Sequence, residues 1–136
     1  MSAEKIENVI NQAMLVGQSF VYGDSFQTYL VAIVVPDEES VRAWAESNTP
    51  DVASASFSEL CKSEELRNEI LSEIQRLSKI NGLHGFETIK AVYLEPNIFS
   101  VEKDLVTPTF KLKRQQLKSY FSKQIEEMYD HPQSKL

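Results

Sequence analysis

A small α+β domain, about three strands packed with helices, is the fold class that this 136-residue chain predicts. Apolar residues recur at helical spacing near both ends, and β-branched runs stop at Pro36 and Pro96. The 42% hydrophobic content suits one ordinary core, which predicts one domain.

Ile6, Val9, Ile10, Ala13 and Met14 recur at three and four, predicting an amphipathic opening helix that closes near Gly17. Residues 18–22 read as a strand, residues 23–25 as a turn region, and residues 28–35 as a second strand stopped by Pro36. The near-continuous apolar run of that second strand predicts a central position, covered on both faces. Asp37 is placed to cap a short helix carrying Val41, Trp44 and Ala45, after which residues 47–56 read as a surface loop. Ser56 and Glu59 have capping-box spacing for a helix around Phe57 and Leu60. Ser63 is placed to cap a longer helix with Leu66, Ile70, Ile74 and Leu77 as its buried stripe, closed by Gly82. Residues 89–94 are the third strand, and the loop from there to Thr109 carries only the apolar pair Ile98 and Phe99. One last helix carries Leu117, Phe121 and Ile125 at four-residue spacing.

A formal charge of −6 and a pI near 5.0 argue against a general nucleic-acid binder. The longest apolar run, residues 29–35, falls far short of the roughly 20 residues that span a bilayer, so a soluble chain without a transmembrane segment is expected. Met1-Ser2-Ala3-Glu4-Lys5 leads straight into helix-patterned residues, an opening unlike a signal peptide. Cys61 has no partner for a disulfide and follows Leu60 in an apolar stretch, which predicts a buried structural thiol. His84 and His131 provide no zinc spacing, so no metal site is expected, and His84 reads as a loop residue. Trp44, Phe20 and Tyr22 read as packing residues, not as a base-stacking set.

Thr107-Pro108-Thr109-Phe110-Lys111-Leu112-Lys113-Arg114 aims one lysine out of a constrained loop just where a helix begins. Pro108 fixes its own φ and pushes Thr107 toward extended geometry, and Thr109 is placed to cap the following turn. Positive charge at Lys111, Lys113 and Arg114 suits a phosphate, and a solvated helix start accounts for the same spacing. The chain ends in Ser134-Lys135-Leu136, the tripeptide read by the peroxisomal import receptor, on a tail of residues 131–136 that Pro132 separates from the preceding helix.

Three segments in order, Ala3-Glu4-Lys5-Ile6-Glu7-Asn8-Val9, Ile33-Val34-Val35-Pro36-Asp37 and residues 107–114, resemble the carboxy-terminal domain of long-chain acyl-CoA synthetases, in the adenylate-forming superfamily. The resemblance spans essentially the whole chain, with residues 1–130 as the lid domain. It implies an AMP-forming ligase that joins a long-chain fatty acid to coenzyme A through an acyl-adenylate. ATP, magnesium and the acyl chain would be bound mainly by a large amino-terminal domain, and the lid would rotate between the half-reactions about a hinge just before Met1. Lys111 falls on the position of the adenylation lysine, while Lys113 and Arg114 are candidates for phosphates of ATP or coenzyme A. Where many superfamily members have glycine just before the lysine, this chain has Phe110, and it lacks any phosphate-cradling glycine loop. The fragment alone is therefore expected to be inactive. The localisation expected is the peroxisome, with cytoplasm or a peripheral membrane position as alternatives. Two other readings stay open: a stand-alone protein-interaction domain that retains the fold, and a nucleotide or acyl-CoA binding module.

Overall fold

The computed structural model describes residues 2–83, 85–131 and 133. His84, Pro132 and the Ser134-Lys135-Leu136 tripeptide lie outside the described residues. In chain order the elements are α1 (Ala3–Ile10), β1 (Val16–Gly23), β2 (Leu30–Pro36), α2 (Glu38–Asn48), α3 (Phe57–Leu60), α4 (Glu64–Ile80), β3 (Ile89–Leu94), α5 (Arg114–Tyr120) and α6 (Ser122–Asp130). The strands form one sheet in the order β1-β2-β3, with β1 antiparallel and β3 parallel to β2. The helices between β2 and β3 make the crossover that a parallel pair requires.

Central β2 is buried along its whole length because both of its faces are covered. Leu30, Ala32 and Val34 enter a core built with Ile6 and Ile10 of α1, Val41 of α2 and the Leu66, Ile70, Ile74 stripe of α4. Val31, Ile33 and Val35 point the other way, into a second core with Phe99, Leu105, Val106, Leu117, Phe121 and Ile125. The strand period of two thus divides one run between two helix layers. Each large apolar side chain so buried contributes on the order of 1.5–3 kcal/mol. Phe20 packs in the second core and Trp44 lies partly buried against the first, on opposite sides of the sheet.

The expected caps form. Asp37 accepts the Ser40 amide at 3.0 Å, Ser56 that of Glu59 and Ser63 that of Leu66, each at 3.2 Å. These bonds satisfy helix N–H groups that have no partner within the helix. The Asp37 carboxyl is held below its usual range by its hydrogen bonds to the Ser40 side chain and amide. At the other end of the fold, the Tyr129 hydroxyl accepts the Asp24 amide at 3.3 Å and donates toward the Tyr29 carbonyl at 3.1 Å, tying α6 to the β1–β2 turn. Burial, above all, pushes that phenol up to about 12.

Three expectations are corrected. Helix α1 stops at Ile10 and the chain turns tightly through residues 11–15, so Met14 leaves the apolar face and is 77% exposed. The last helix is two helices bent at Phe121, whose φ of −103° and ψ of 18° leave the helical region while its ring packs edge-on to Phe99. The loop after β3 buries Leu105 and Val106 as well as Phe99, whereas Ile98 turns outward.

Candidate functional site: the Lys111 hairpin

The segment that carries Lys111 is a tight hairpin closed by a bridge between Val106 and Leu112. Inside it the Thr107 amide donates to the Lys111 carbonyl at 2.8 Å, and the Phe110 amide donates to the Thr107 carbonyl at 2.7 Å. Pro108 and Thr109 fill the turn, and Phe110 follows in the left-handed region with φ of +64°. A turn followed by a left-handed residue is a common three-residue hairpin connection, and glycine is the residue best suited to its last position. Phe110 therefore carries a conformational cost of about 1–2 kcal/mol, with its ring 70% exposed.

Thr109 does not cap α5, which corrects a further expectation. Its hydroxyl lies 3.1 Å from that of Thr107, and the Thr107 hydroxyl accepts the Lys111 amide at 3.1 Å. The bridge and the left-handed residue reverse the chain first, so α5 begins only at Arg114, with Lys113 at its cap position and no side-chain cap bond.

The three cations of the segment have different surroundings. Lys113 forms an ion pair with Asp104, and its amide donates to the Leu105 carbonyl at 2.9 Å. Arg114 donates to Glu7 of α1 through its two terminal guanidinium nitrogens, Nη1 and Nη2, at 2.9 and 2.6 Å. Glu7 is only 4% exposed, and it also accepts the Val21 amide of β1 at 2.7 Å. Hydrogen bonding to Glu7 raises the Arg114 guanidinium further above its ordinary value. Lys111 is exposed and has no ion-pair partner among the described residues. Two cations at the start of α5 oppose the helix dipole, which prefers anions there, and the carboxylates of Asp104 and Glu7 offset that conflict.

Lys111 borders an open groove of about 430 Å³, shared with Glu4, Glu7, Gln18, Phe110 and Arg114. A larger concavity of about 800 Å³ lies between the start of α4, the end of β3 and α6, with Cys61 in its wall. Burial, with lesser contributions from the Glu95 and Glu38 charges, pushes the Cys61 thiol up to about 12, so it stays protonated and inert as a nucleophile at neutral pH. Among the described residues, no group of three or more His, Cys, Asp or Glu side chains gathers closely enough to hold a metal ion. No helix there is long and apolar enough to cross a membrane.

Reading the sequence alone misses Glu7 and Asp104 as the partners of Arg114 and Lys113. For Glu7 the signal is its position. It lies three residues before Ile10 and next to Ile6, so helical spacing puts a carboxylate at the margin of an apolar stripe.

A scan against models of known protein families matches none. Over 129 residues the chain is 46% identical to the rat protein named long-chain-fatty-acid–CoA ligase 6 and 42% identical to human long-chain-fatty-acid–CoA ligase 1. The chain is a homologue of one segment of the long-chain fatty-acid–CoA ligases. Each of these alignments covers 95% of the chain but 18% of the relative, so the chain spans under a fifth of the length of those ligases. Among solved structures, the adenylation domain of a carboxylate reductase from Mycobacterium chelonae superposes with a TM-score of 0.75 at 28% identity, covering 96% of this chain and 18% of that one. The A-PCP didomain of a Segniliparus rugosus carboxylic acid reductase, in complex with AMP, gives 0.76 at 24% identity over 96% of this chain and 16% of its own, a likeness of fold alone. The α+β fold is that of the carboxy-terminal part of adenylate-forming domains.

Proposed function

We propose that this chain is the mobile carboxy-terminal domain of an AMP-forming long-chain fatty acid CoA ligase, and that Lys111 serves adenylation. The observation that carries the reading is the state of Lys111: an exposed ammonium without an ion-pair partner among the described residues, on a hairpin closed by its own main chain. When a fatty-acid carboxylate attacks the α-phosphate of ATP, a carbon-bound oxygen joins phosphorus and pyrophosphate leaves. Negative charge then spreads over non-bridging oxygens that a fixed ammonium can contact. A lysine fits this task because its ammonium is a compact point charge that acts without transferring a proton. In the same reading Lys113 adds positive field toward the phosphates of ATP or coenzyme A, whereas the Arg114 fork is taken up by Glu7 and is not assigned to them.

The second half-reaction, displacement of AMP by the thiol of coenzyme A, needs the space that the lysine occupied. We assign that clearance to rotation of the whole domain against an amino-terminal domain. That domain would supply most of the binding for ATP, fatty acid and coenzyme A, and magnesium has no ligand cluster among the residues described here. The isolated chain is accordingly expected to be inactive.

The deciding measurement is made in the full-length ligase that carries this domain. Lys111→Ala should slow acyl-adenylate formation by roughly a hundredfold to a thousandfold. Thioester formation from supplied acyl-adenylate should continue. Adenylation at the normal rate would remove Lys111 from the mechanism. For location we propose the peroxisome, through recognition of Ser134-Lys135-Leu136 by the import receptor. A fluorescent protein ending in this chain should collect in peroxisomes and lose that pattern when Leu136 is deleted. A diffuse signal from the intact fusion would reject the address.

A further inference from the structure

We propose, on the basis of the ligase reading, that the pair of buried Glu7 and half-exposed Arg114 is a positioning device that aims Lys111 during adenylation. Arg114 stands three residues beyond Lys111 and opens α5, so whatever holds its guanidinium holds the exit of the hairpin. Both nitrogens of that fork reach the Glu7 carboxylate, at 2.9 and 2.6 Å, and the planar group lies 6.0 Å from the Phe20 ring centre. Paired, parallel bonds of this kind set direction as well as distance, which a single lysine contact would not.

Glu7 is itself immobilised. It projects from α1 with 4% exposure, and the oxygen that takes one Arg114 nitrogen also accepts the Val21 amide at 2.7 Å. The carboxylate therefore joins α1, β1 and α5 at one point, 107 residues apart in sequence from its arginine partner. The entry to the hairpin has a separate anchor, in the Val106–Leu112 bridge and the pairing of Lys113 with Asp104. With both ends held, the position of the Lys111 main chain follows the body of the domain and not the loop's own flexibility.

An ion pair with one buried partner is an indifferent stabiliser, because desolvation of the Glu7 carboxylate offsets much of the attraction and solvent screens the half-exposed arginine. Orientation is what an apolar substitute could not provide. A displacement of about 1 Å at a reacting group can cost a hundredfold in rate, so loss of the fork should be felt in the step that uses Lys111 and not in the step from which it is withdrawn.

The test uses full-length ligase and measures the two half-reactions separately: acyl-adenylate from ATP and fatty acid, and thioester from supplied acyl-adenylate. Arg114→Met and Glu7→Gln are expected to slow the first by about 10- to 100-fold and to leave the second within about twofold, with Arg114→Lys recovering part of the loss. Arg114→Met is also made in a Lys111→Ala background, where it should cost nothing more, since a residue that acts through Lys111 has no further effect once Lys111 is gone. Equal slowing of both half-reactions, an additional loss in the double variant, or unchanged adenylation in all three single variants would each overturn the assignment. If Arg114→Met does not fold, Arg114→Lys and Glu7→Gln carry the comparison, in single and double form. Lys111→Ala measured alongside separates the two ideas. If that variant adenylates normally the ligase reading fails, and if it collapses while Arg114 and Glu7 variants do not, only the positioning role fails.

Discussion

Strand β2, buried along all of its residues, and the hairpin ahead of α5, exposed at its tip, reach fixed positions by different means. Removal of apolar surface from water places β2, since its side chains alternate between two cores and any slip by one residue would exchange them. The hairpin buries Leu105 and Val106, but the outline that presents Lys111 is drawn by main-chain hydrogen bonds, a left-handed residue and two ion pairs. Burial is strong and has little directionality, whereas hydrogen bonds add roughly 1 kcal/mol each and fix angles. Damage to β2 should thus appear as lost stability, and damage to the hairpin as lost aim.

The contrast breaks most easily at Ile33. Truncation of this fully buried residue to Ala should cost about 2–5 kcal/mol, read as a lower urea midpoint, whereas Lys111→Ala should change the unfolding free energy in the same titration by less than about 0.5 kcal/mol. Comparable losses from the two changes would mean that Lys111 belongs to the structural framework after all.

A smaller effect of opposite sign is expected at Phe110. Glycine there removes the left-handed penalty of about 1–2 kcal/mol and adds backbone entropy to the unfolded chain, for a net gain of about 0.5–1 kcal/mol. The midpoint should rise. A fall would show that the Phe110 ring makes contacts worth more than its strain.

The smallest effect concerns the Asp37 cap. Its depressed folded value makes it a stabiliser at full strength above the unfolded value of about 3.9, with the contribution lost as pH falls through the lower folded value. Asp37→Asn keeps a cap and loses the titration. Because Asp37 is exposed, the unfolding free energies of the two proteins should differ by only about a few tenths of a kcal/mol near neutral pH, and their melting temperatures should converge in acid. A gap that widens on acidification would contradict the sign.

Asp37, Ser56 and Ser63 were legible as caps because each is bonded to an amide three residues on, within reach of local geometry. The stripe of α4 was legible for the same reason, with Leu66, Ile70 and Ile74 all fully buried. Phe121 reads as the middle of one helix because its four-residue spacing continues through the bend, while in the fold its ring packs edge-on to Phe99 and the helix breaks there. Leu105 and Val106 looked like loop because two apolar residues carry no period.

Short-range order therefore belongs to the amino acids in their succession: which residues make strands, where helices start, and that Lys111 sits among cations behind a proline. Partnership belongs to the folded chain. No spacing announces that Arg114 will meet Glu7, that Lys113 will meet Asp104, or that Lys111 will find no ion-pair partner among the described residues. Helical and strand periods act over a few residues, whereas Arg114 and Glu7 stand 107 residues apart and meet only where the fold sets the start of α5 beside α1.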